Sequence, residues 1–246
     1  MADLRGIILR YSDFGESNKV YTVFTRELGK ISLVARGVKS AKSKLSGVLQ
    51  PFTYMEFSTI KGKGKLETIA SAAPLNAYYD LRLDLNRLNA ACHFAKLINK
   101  NTEEYAPIPI LFDFFLASLD LLVCSDDPEF LTCHFEANLL SFSGYTPVLT
   151  NCINCGSTGS SLFLHPWLYF DVENGGVICP DCFLHMAQSV GNEEDIYRYK
   201  RIASGSAQIM FFMLSGEYEK AKSKKISKPL LEDLKKLLAS LMDYYF

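Results

Sequence analysis

The sequence predicts a multidomain α+β protein in which a small N-terminal β-barrel precedes an α-helical domain with a cysteine-rich insertion. Short β-branched and aromatic runs occupy residues 3–73, apolar residues recur at helical spacing after Pro74, and two Cys-x2-Cys pairs follow. The composition, 48% hydrophobic and 22% charged, is globular and excludes a disordered or collagen-like chain. We expect two domains, residues 1–78 and 79–246, with the insertion at about 148–190.

The N-terminal region contains five predicted strands. Each is rich in β-branched or aromatic residues and is bounded by Gly, Pro, Asn or Ser, which form turns. The predicted strands are Ile7–Tyr11, Val20–Phe24, Ile31–Ala35, Phe52–Phe57 and Leu66–Ala70. Five strands within about 70 residues predict a small closed barrel, because closure leaves no strand edge unpaired.

Helices are predicted from about residue 81 onward. The first has an apolar stripe at spacings of four and three residues, formed by Leu81, Leu85, Leu88, Cys92 and Ala95. A second is predicted over Ile110–Cys124. A third starts at Pro128 with Asp127 as its cap and stops near Gly144. Helical patterns return at Glu193–Leu214 and between Leu230 and Tyr245.

The sequence has no signal-peptide-like start and no run of about 18 apolar residues, which favours a cytosolic protein without a membrane contact. Its seven cysteines are an odd number, and in a reducing compartment they are not expected to form a disulfide framework. Four of them form two Cys-x2-Cys pairs separated by 23 residues: Cys152, Cys155, Cys179 and Cys182. Two such turns can aim four thiolates at one ion, which predicts a structural zinc site, although iron also binds sulfur ligands. The remaining three, Cys92, Cys124 and Cys133, are expected to be small buried hydrophobes.

The net charge of −1 conceals a strong asymmetry along the chain. Residues 1–79 hold 12 basic and 6 acidic residues (net +6), residues 80–192 are at net −9, and residues 193–246 are at net +2. A locally basic module can bind a polyanion although the whole molecule is nearly neutral. The positive charge of the N-terminal third therefore indicates a nucleic-acid contact.

Most of this positive charge lies in one loop and one hairpin of the predicted barrel. The candidate DNA-binding residues are Arg36, Lys39, Lys42, Lys44, Lys61, Lys63 and Lys65. Lysine and arginine neutralise phosphates, and exposed aromatic residues can stack on bases, which favours single-stranded nucleic acid. The alternative is that the lysines are solvated turns. For the interleaved aromatics Tyr21, Phe24, Phe52, Tyr54 and Phe57, a role in the barrel core is favoured.

Two enzyme hypotheses fit the sequence poorly, and we predict no catalytic residue. His134-Phe-Glu136 with a Cys-x2-Cys pair is similar to a zinc deaminase signature, but Pro180 lies inside the second pair instead of before the first, and one pair is left without a role. The Gly-Lys hairpin lacks the first glycine of a phosphate-binding loop, because Thr59 stands there.

Taken in order, several motifs resemble the bacterial RecO family of recombination mediators. They are Gly29–Val38, Gly47–Phe52, Ser143–Pro147, Cys152–Gly156 and Gly175–Cys182. The resemblance implies an oligonucleotide-binding (OB) barrel, a helical domain and a zinc knuckle. It also implies a non-enzymatic DNA repair protein, associated with the nucleoid, that binds single- and double-stranded DNA and anneals complementary strands.

The same resemblance implies three protein partners. They are RecR, the C-terminal tail of the single-strand-binding protein (SSB) and, indirectly, RecA, which is helped onto single strands that SSB had covered. The competing hypothesis from another functional class is a protein-interaction adaptor whose zinc knuckle and acidic middle dock onto a complex without DNA annealing. A steep salt dependence of binding distinguishes contacts to phosphates from adaptor contacts.

Overall fold

The computed structural model describes residues 2–61, 66–189, 198–223 and 226–246. The chain divides into two compact units, Met1–Leu131 and Thr132–Phe246, and each is described by itself.

The first unit contains a closed five-stranded barrel in the order β1-β2-β3-β5-β4. Its strands are β1 (Ala2–Phe14), β2 (Asn18–Thr25), β3 (Gly29–Ala35), β4 (Tyr54–Lys61) and β5 (Glu67–Asn76). β3 and β5 pair in parallel, and the other neighbours are antiparallel. This arrangement confirms the predicted N-terminal OB-fold barrel.

Alternation along the strands builds the barrel core. In β4, Met55, Phe57 and Thr59 are buried while their neighbours are partly exposed, as expected for a strand with one face inward. The prediction that Phe52 begins this strand is wrong. Phe52 has a left-handed backbone (φ 67°) and donates its N–H to the Ile8 carbonyl, so it forms a turn before β4.

Two helices pack with the barrel in the first unit. They are α1 (Leu85–Asn101) and α2 (Pro109–Cys124), preceded by a short 3₁₀ helix (Tyr79–Arg82). Phe24 of β2 contacts Phe112 and Phe115 of α2, with ring centroids 5.8 and 6.4 Å apart. Helix α3 (Pro128–Phe142) starts as predicted, because the Asp127 carboxylate accepts the N–H of Phe130 at 3.0 Å.

The predicted apolar stripe of α1 faces the interior only in part, because Leu81 and Ala95 are buried but Leu88 and Cys92 are not. Leu81 belongs to the 3₁₀ helix, and Leu85 is 72% exposed, while Phe94 and Ile98 are fully buried. The prediction that Cys92 and Cys124 are buried is also wrong, because both are exposed, whereas Cys133 is buried as expected. The stripe borders an open groove, so apolar spacing located the helix but not its buried face.

The second unit contains a three-stranded sheet in the order β7-β6-β8. Its elements are α4 (Gly159–Phe163), β6 (Trp167–Asp171), β7 (Gly176–Ile178), α5 (Pro180–Ser189), β8 (Tyr199–Ala203), α6 (Ser204–Leu214), α7 (Tyr218–Ser223) and α8 (Lys228–Tyr245). In the final amphipathic helix, α8, Leu234, Leu237 and Leu241 are buried. Among the described helices, none is both long and apolar enough to cross a membrane.

The predicted helix over Glu193–Leu214 is wrong in its first half. Residues 199–203 form strand β8, which pairs with β6 in register Tyr169↔Arg201, and the helix begins at Ser204. Residues 193–197 lie outside the described residues. The pairing joins segments about 30 residues apart, which a local periodicity cannot detect.

Candidate metal centre and nucleic-acid interface

Four cysteine sulfurs form one cluster in the second unit. The Sγ atoms of Cys152, Cys155, Cys179 and Cys182 all lie within 4.8 Å of one another. Three of the side chains are buried and Cys155 is exposed. Sulfur donors at this spacing suit a tetrahedral ion, and four protein sulfurs leave no coordination position for water or substrate. The cluster could therefore hold a metal ion in a structural role.

The first cysteine pair lies in a tight turn. The Cys152 carbonyl accepts the N–H of Gly156 at 2.9 Å, and the Cys152 N–H donates to the Ser157 carbonyl at 2.8 Å. Gly156 closes the turn with φ +73°, a conformation that glycine adopts at little cost. The turn folds Cys155 back toward Cys152, which explains the spacing of two intervening residues.

The second pair is placed by the start of a helix. Cys179 lies between β7 and α5, and Cys182 lies in the first turn of α5 behind Pro180. The two knuckles, the turn at Cys152–Cys155 and the segment at Cys179–Cys182, are joined by backbone hydrogen bonds. Ile153 donates its N–H to the Val177 carbonyl at 2.9 Å. The 23 residues between the pairs form α4, β6 and β7, so the long interval contains regular structure.

Electrostatics within the cluster favours a bound cation. Burial raises the pKa of Cys152, but the N–H groups of Cys155, Cys179 and Asn154 outweigh burial and lower it to about 7. Burial raises the pKa of Cys179 to about 12. Four crowded thiolates therefore do not form by themselves, and a divalent ion would supply the charge that allows them to lose their protons.

The geometry does not assemble the alternative deaminase site. Among the described residues, the only group of three or more possible ligands consists of the four cysteines, without His134 or Glu136. The His134 ring is buried in α3, 4.8 Å from the Tyr218 ring, and the amide nitrogen of Asn138 lies 3.3 Å from its Nδ1. The deaminase hypothesis would require His134 beside one cysteine pair, so it is not supported.

The basic loop between β3 and β4, residues 36–53, is anchored on the barrel. Val38 and Leu49 are buried in the barrel core, and the Gly37 N–H donates to the Asn18 side-chain oxygen at 2.9 Å. Successive turns follow, with Ser40, Ser43 and Ser46 each donating an N–H to the carbonyl three residues earlier. The loop is therefore a defined surface of the barrel.

The loop presents its cations in two different ways. Lys39 places its Nζ 3.0 Å from the Asp13 carboxylate and donates to the Gly15 carbonyl at 3.2 Å. Arg36, Lys42 and Lys44 are exposed, and none of the three has an ion pair with another described residue. Three of the four predicted loop cations thus keep their charges available to a polyanion.

The hairpin cations are placed separately from this loop. Lys61 is exposed and ends β4, while the loop follows β3, and β5 lies between these two strands. Lys63 and Lys65 lie outside the described residues.

The aromatic residues between the basic positions belong mainly to the protein interior, as the favoured interpretation expected. Tyr21, Phe24, Phe52 and Phe57 are buried, and Tyr54 is partly exposed. Two exposed aromatic residues on β1 were missed: Tyr11 is 42% and Phe14 is 51% exposed. Both lie near the turn at residues 15–17 that joins β1 to β2, and this position was the available signal, because strand ends at loops are often exposed.

Two models of one protein family match nearly the whole chain. The family model "Recombination protein O N terminal" matches residues 1–78, and "Recombination protein O C terminal" matches residues 82–246. The two matches leave only residues 79–81 between them unassigned.

Similar proteins carry the same name. The DNA repair protein RecO of Desulforamulus reducens is 32% identical over 242 residues, which cover 98% of this chain and 88% of that protein. The DNA repair protein RecO of Bacillus subtilis is 37% identical over 193 residues, covering 78% and 69%. That of Alkaliphilus metalliredigens is 31% identical over 234 residues, covering 95% and 89%. These names describe DNA repair and recombination proteins.

Proposed function

Because this chain belongs to the RecO family of DNA repair proteins, we propose that it acts as a recombination mediator. In this role it binds single- and double-stranded DNA, anneals complementary strands and, with RecR, helps RecA to load onto single strands covered by SSB. The acidic, apolar tail of SSB is proposed to bind to the helical domain. The place of action is the nucleoid in the cytoplasm.

The observation that carries the DNA-binding part is the anchored loop, three of whose cations form no ion pair with a described residue. Arg36, Lys42 and Lys44 project from a closed barrel, and the loop is held by the buried residues Val38 and Leu49. Cations without carboxylate partners bind phosphates without first breaking an ion pair. Each phosphate contact releases condensed counterions, which favours binding at low salt.

Annealing follows from the same chemistry. Two complementary strands repel each other through their phosphates, and a surface that neutralises both backbones lowers this repulsion while it holds the strands close together. Lys39 supports the surface, and Lys61, Lys63 and Lys65 are proposed to extend it. None of these steps needs a nucleotide cofactor, so annealing is expected without ATP.

The proposed domain division assigns DNA binding to residues 1–78 and protein contacts to residues 79–246, with the zinc-binding insertion at about 148–190. The matched ranges of the two family models support this division. The second proposed domain contains few cations before residue 193, consistent with contacts other than nucleic acid.

For the metal, we propose one structural Zn²⁺ ion held by Cys152, Cys155, Cys179 and Cys182. The donor set supports zinc, because four sulfurs in two linked knuckles match its preferred tetrahedral coordination. When bound, the ion stabilises the folded insertion and carries out no reaction. Zinc and iron are distinguished by elemental analysis of the purified protein.

The mediator function is tested by annealing of two complementary oligonucleotides, one of them coated with SSB, in a salt series without ATP. The test variant replaces Arg36, Lys39, Lys42 and Lys44 with alanine. A matched control replaces four exposed cations of the second unit, Lys200, Lys222, Lys228 and Lys236, with alanine. We expect wild type and control to anneal, with rates that fall as salt rises, and the loop variant to lose annealing.

Two results would contradict the proposal in different ways. Wild type that neither anneals nor binds single strands at low salt would exclude the mediator function and favour the protein-interaction adaptor. A control variant that loses as much annealing as the loop variant would show that net charge, and not the loop, determines the activity.

A further inference from the structure

A groove of about 690 Å³ opens in the first unit between β1, the segment before β4, and α1. Its walls are mainly apolar, formed by Leu9, Tyr11, Pro51, Phe52, Leu88 and Ala95. The basic loop, residues 36–53, contributes only its last residues to this groove. A cavity of this volume is large enough to enclose a nucleobase with its sugar.

The charge of the groove is entirely positive among the residues that line it. Arg10, Arg82 and Lys96 line the groove. No described aspartate or glutamate lines it. Arg10 and Lys96 are exposed, and no described carboxylate forms an ion pair with either. The groove therefore suits a ligand that combines an apolar portion with negative charge.

Arg82 strengthens this conclusion, because it is a half-buried cation whose hydrogen-bond partners among the described residues are all neutral. Its guanidinium donates to the carbonyls of Pro51 at 2.6 Å and Ala77 at 2.8 Å, and to the Thr53 hydroxyl at 3.3 Å. Burial lowers the pKa of this guanidinium. A cation that has lost water without gaining a carboxylate is stabilised by an anion that enters the groove.

Strand β1 links the groove to the basic loop, because it lines the groove and also contacts Lys39. Tyr11 lies two residues before Asp13, whose carboxylate pairs with Lys39. The Gly15 carbonyl, two residues after Asp13, accepts a hydrogen bond from the same lysine. The Lys19 ammonium lies 3.9 Å from the centre of the Tyr11 ring. A single strand that follows the loop cations can therefore reach the groove along β1.

Resting on the proposed function, we propose that this groove receives an unstacked nucleotide of bound single-stranded DNA. The base enters between the apolar walls of β1 and α1, and its phosphates lie beside Arg10 and Lys96. Apolar and aromatic surfaces bind base faces without reading sequence, so the slot accepts any base. The rival occupant is an extended acidic peptide. β1 pairs with β4 only as far as Ile7↔Tyr54, so a peptide could add as a strand to the part of β1 that follows.

Cysteine chemistry offers a direct probe of the groove. Cys92 lines it and is exposed, while Cys124 is exposed on α2 and does not line it. The full-length protein is alkylated with a maleimide, and mass spectrometry follows the rate at each cysteine. The rates are compared without DNA, with a 15-nucleotide oligo-dT, with an abasic strand of the same length, and with an acidic peptide.

We expect oligo-dT to slow alkylation of Cys92 about tenfold or more and to leave Cys124 unchanged, and the abasic strand to protect Cys92 much less. Equal protection by both strands would show that the backbone passes over the groove and no base enters, which overturns the proposal. Protection by the peptide alone also overturns it. If oligo-dT binds and Cys92 stays unprotected, only this inference fails. If oligo-dT does not bind at low salt, the proposed function fails as well.

A pair of groove-filling variants provides the second measurement. Cys92→Trp places an indole in the groove, and Cys124→Trp adds the same group to the exposed surface of α2 as the matched control. Circular dichroism confirms that both are folded. We expect Cys92→Trp to weaken oligo-dT binding about tenfold while its affinity for the abasic strand stays the same. An unchanged oligo-dT affinity in Cys92→Trp would contradict a base in the groove.

Discussion

At the residue scale, the loop lysines differ in whether a carboxylate already holds them. Lys39 lies 3.0 Å from Asp13, whereas Lys42 and Lys44 have no such partner among the described residues. A lysine that pairs with a phosphate contributes about −0.7 to the slope of log K against log salt for single strands. We expect the double variant Lys42→Ala/Lys44→Ala to flatten this slope by about 1.4, and Lys39→Ala to flatten it by less than about 0.7.

These slopes are measured by fluorescence anisotropy with a labelled oligo-dT between low and physiological salt. Arg5→Ala is the control, because Arg5 is an exposed barrel cation that is already paired with Glu56 at 3.2 Å. It should leave the slope unchanged. A wild-type slope in the double variant would show that neither lysine contacts phosphate.

His134 gives a pH-dependent contribution to stability. Burial lowers its pKa to about 4 from an ordinary value of 6.5. Between these values the unfolded chain binds a proton that the folded protein excludes, so stability is complete above pH 6.5 and falls as the pH drops toward 4. The free energy of unfolding falls by about 3 kcal/mol over this range. We expect His134→Gln to remove this part of the pH dependence of urea unfolding, while exposed His185→Gln keeps it. Parallel curves for His134→Gln and wild type would contradict the assignment.

At the element scale, the insertion contains both buried apolar residues, among them Leu162, Phe170 and Val177, and the cysteine cluster. The first turn and the start of α5 are joined by the cysteine cluster and by backbone bonds such as that from Ile153 to Val177. We expect Cys152→Ser to lower the midpoint of thermal unfolding by about 10 °C, because losing one ligand weakens the site that stabilises this region. The control Cys124→Ser changes an exposed thiol outside the cluster. Equal midpoints for the two variants would show that the cluster does not stabilise the fold.

The elements that could be predicted from sequence are those whose signal is local. The barrel strands have turn formers at their ends, Asp127 and Pro128 mark the start of α3, and the Cys-x2-Cys spacing locates both knuckles. Strand β8 was missed because its pairing with β6 is long-range and its five residues have no clear alternation. The exposed face of α1 was missed for another reason. Leu88 and Cys92 border a groove, and spacing alone does not distinguish a groove wall from a core.

At the scale of the whole molecule, the excess of positive charge and the cysteine cluster lie in different parts of the chain. The proposed DNA-binding cations lie in the first compact unit, in a segment with net charge +6, and the cysteine cluster lies in the second. If the mediator uses one module for DNA and another for protein partners, the two should respond to different perturbations. Salt acts on contacts to phosphate, whereas a chelator acts on the cluster.

We therefore expect metal removal to separate DNA binding from the stability of the second unit. Treating the full-length protein with a zinc chelator should lower its thermal unfolding midpoint while the affinity for oligo-dT at low salt changes less than about twofold. Raising salt should have the opposite effect, because it releases DNA without unfolding the protein. Anisotropy and calorimetry on the same samples measure both quantities. A chelator that abolishes oligo-dT binding at a temperature where the barrel remains folded would instead assign the DNA contact to the knuckle.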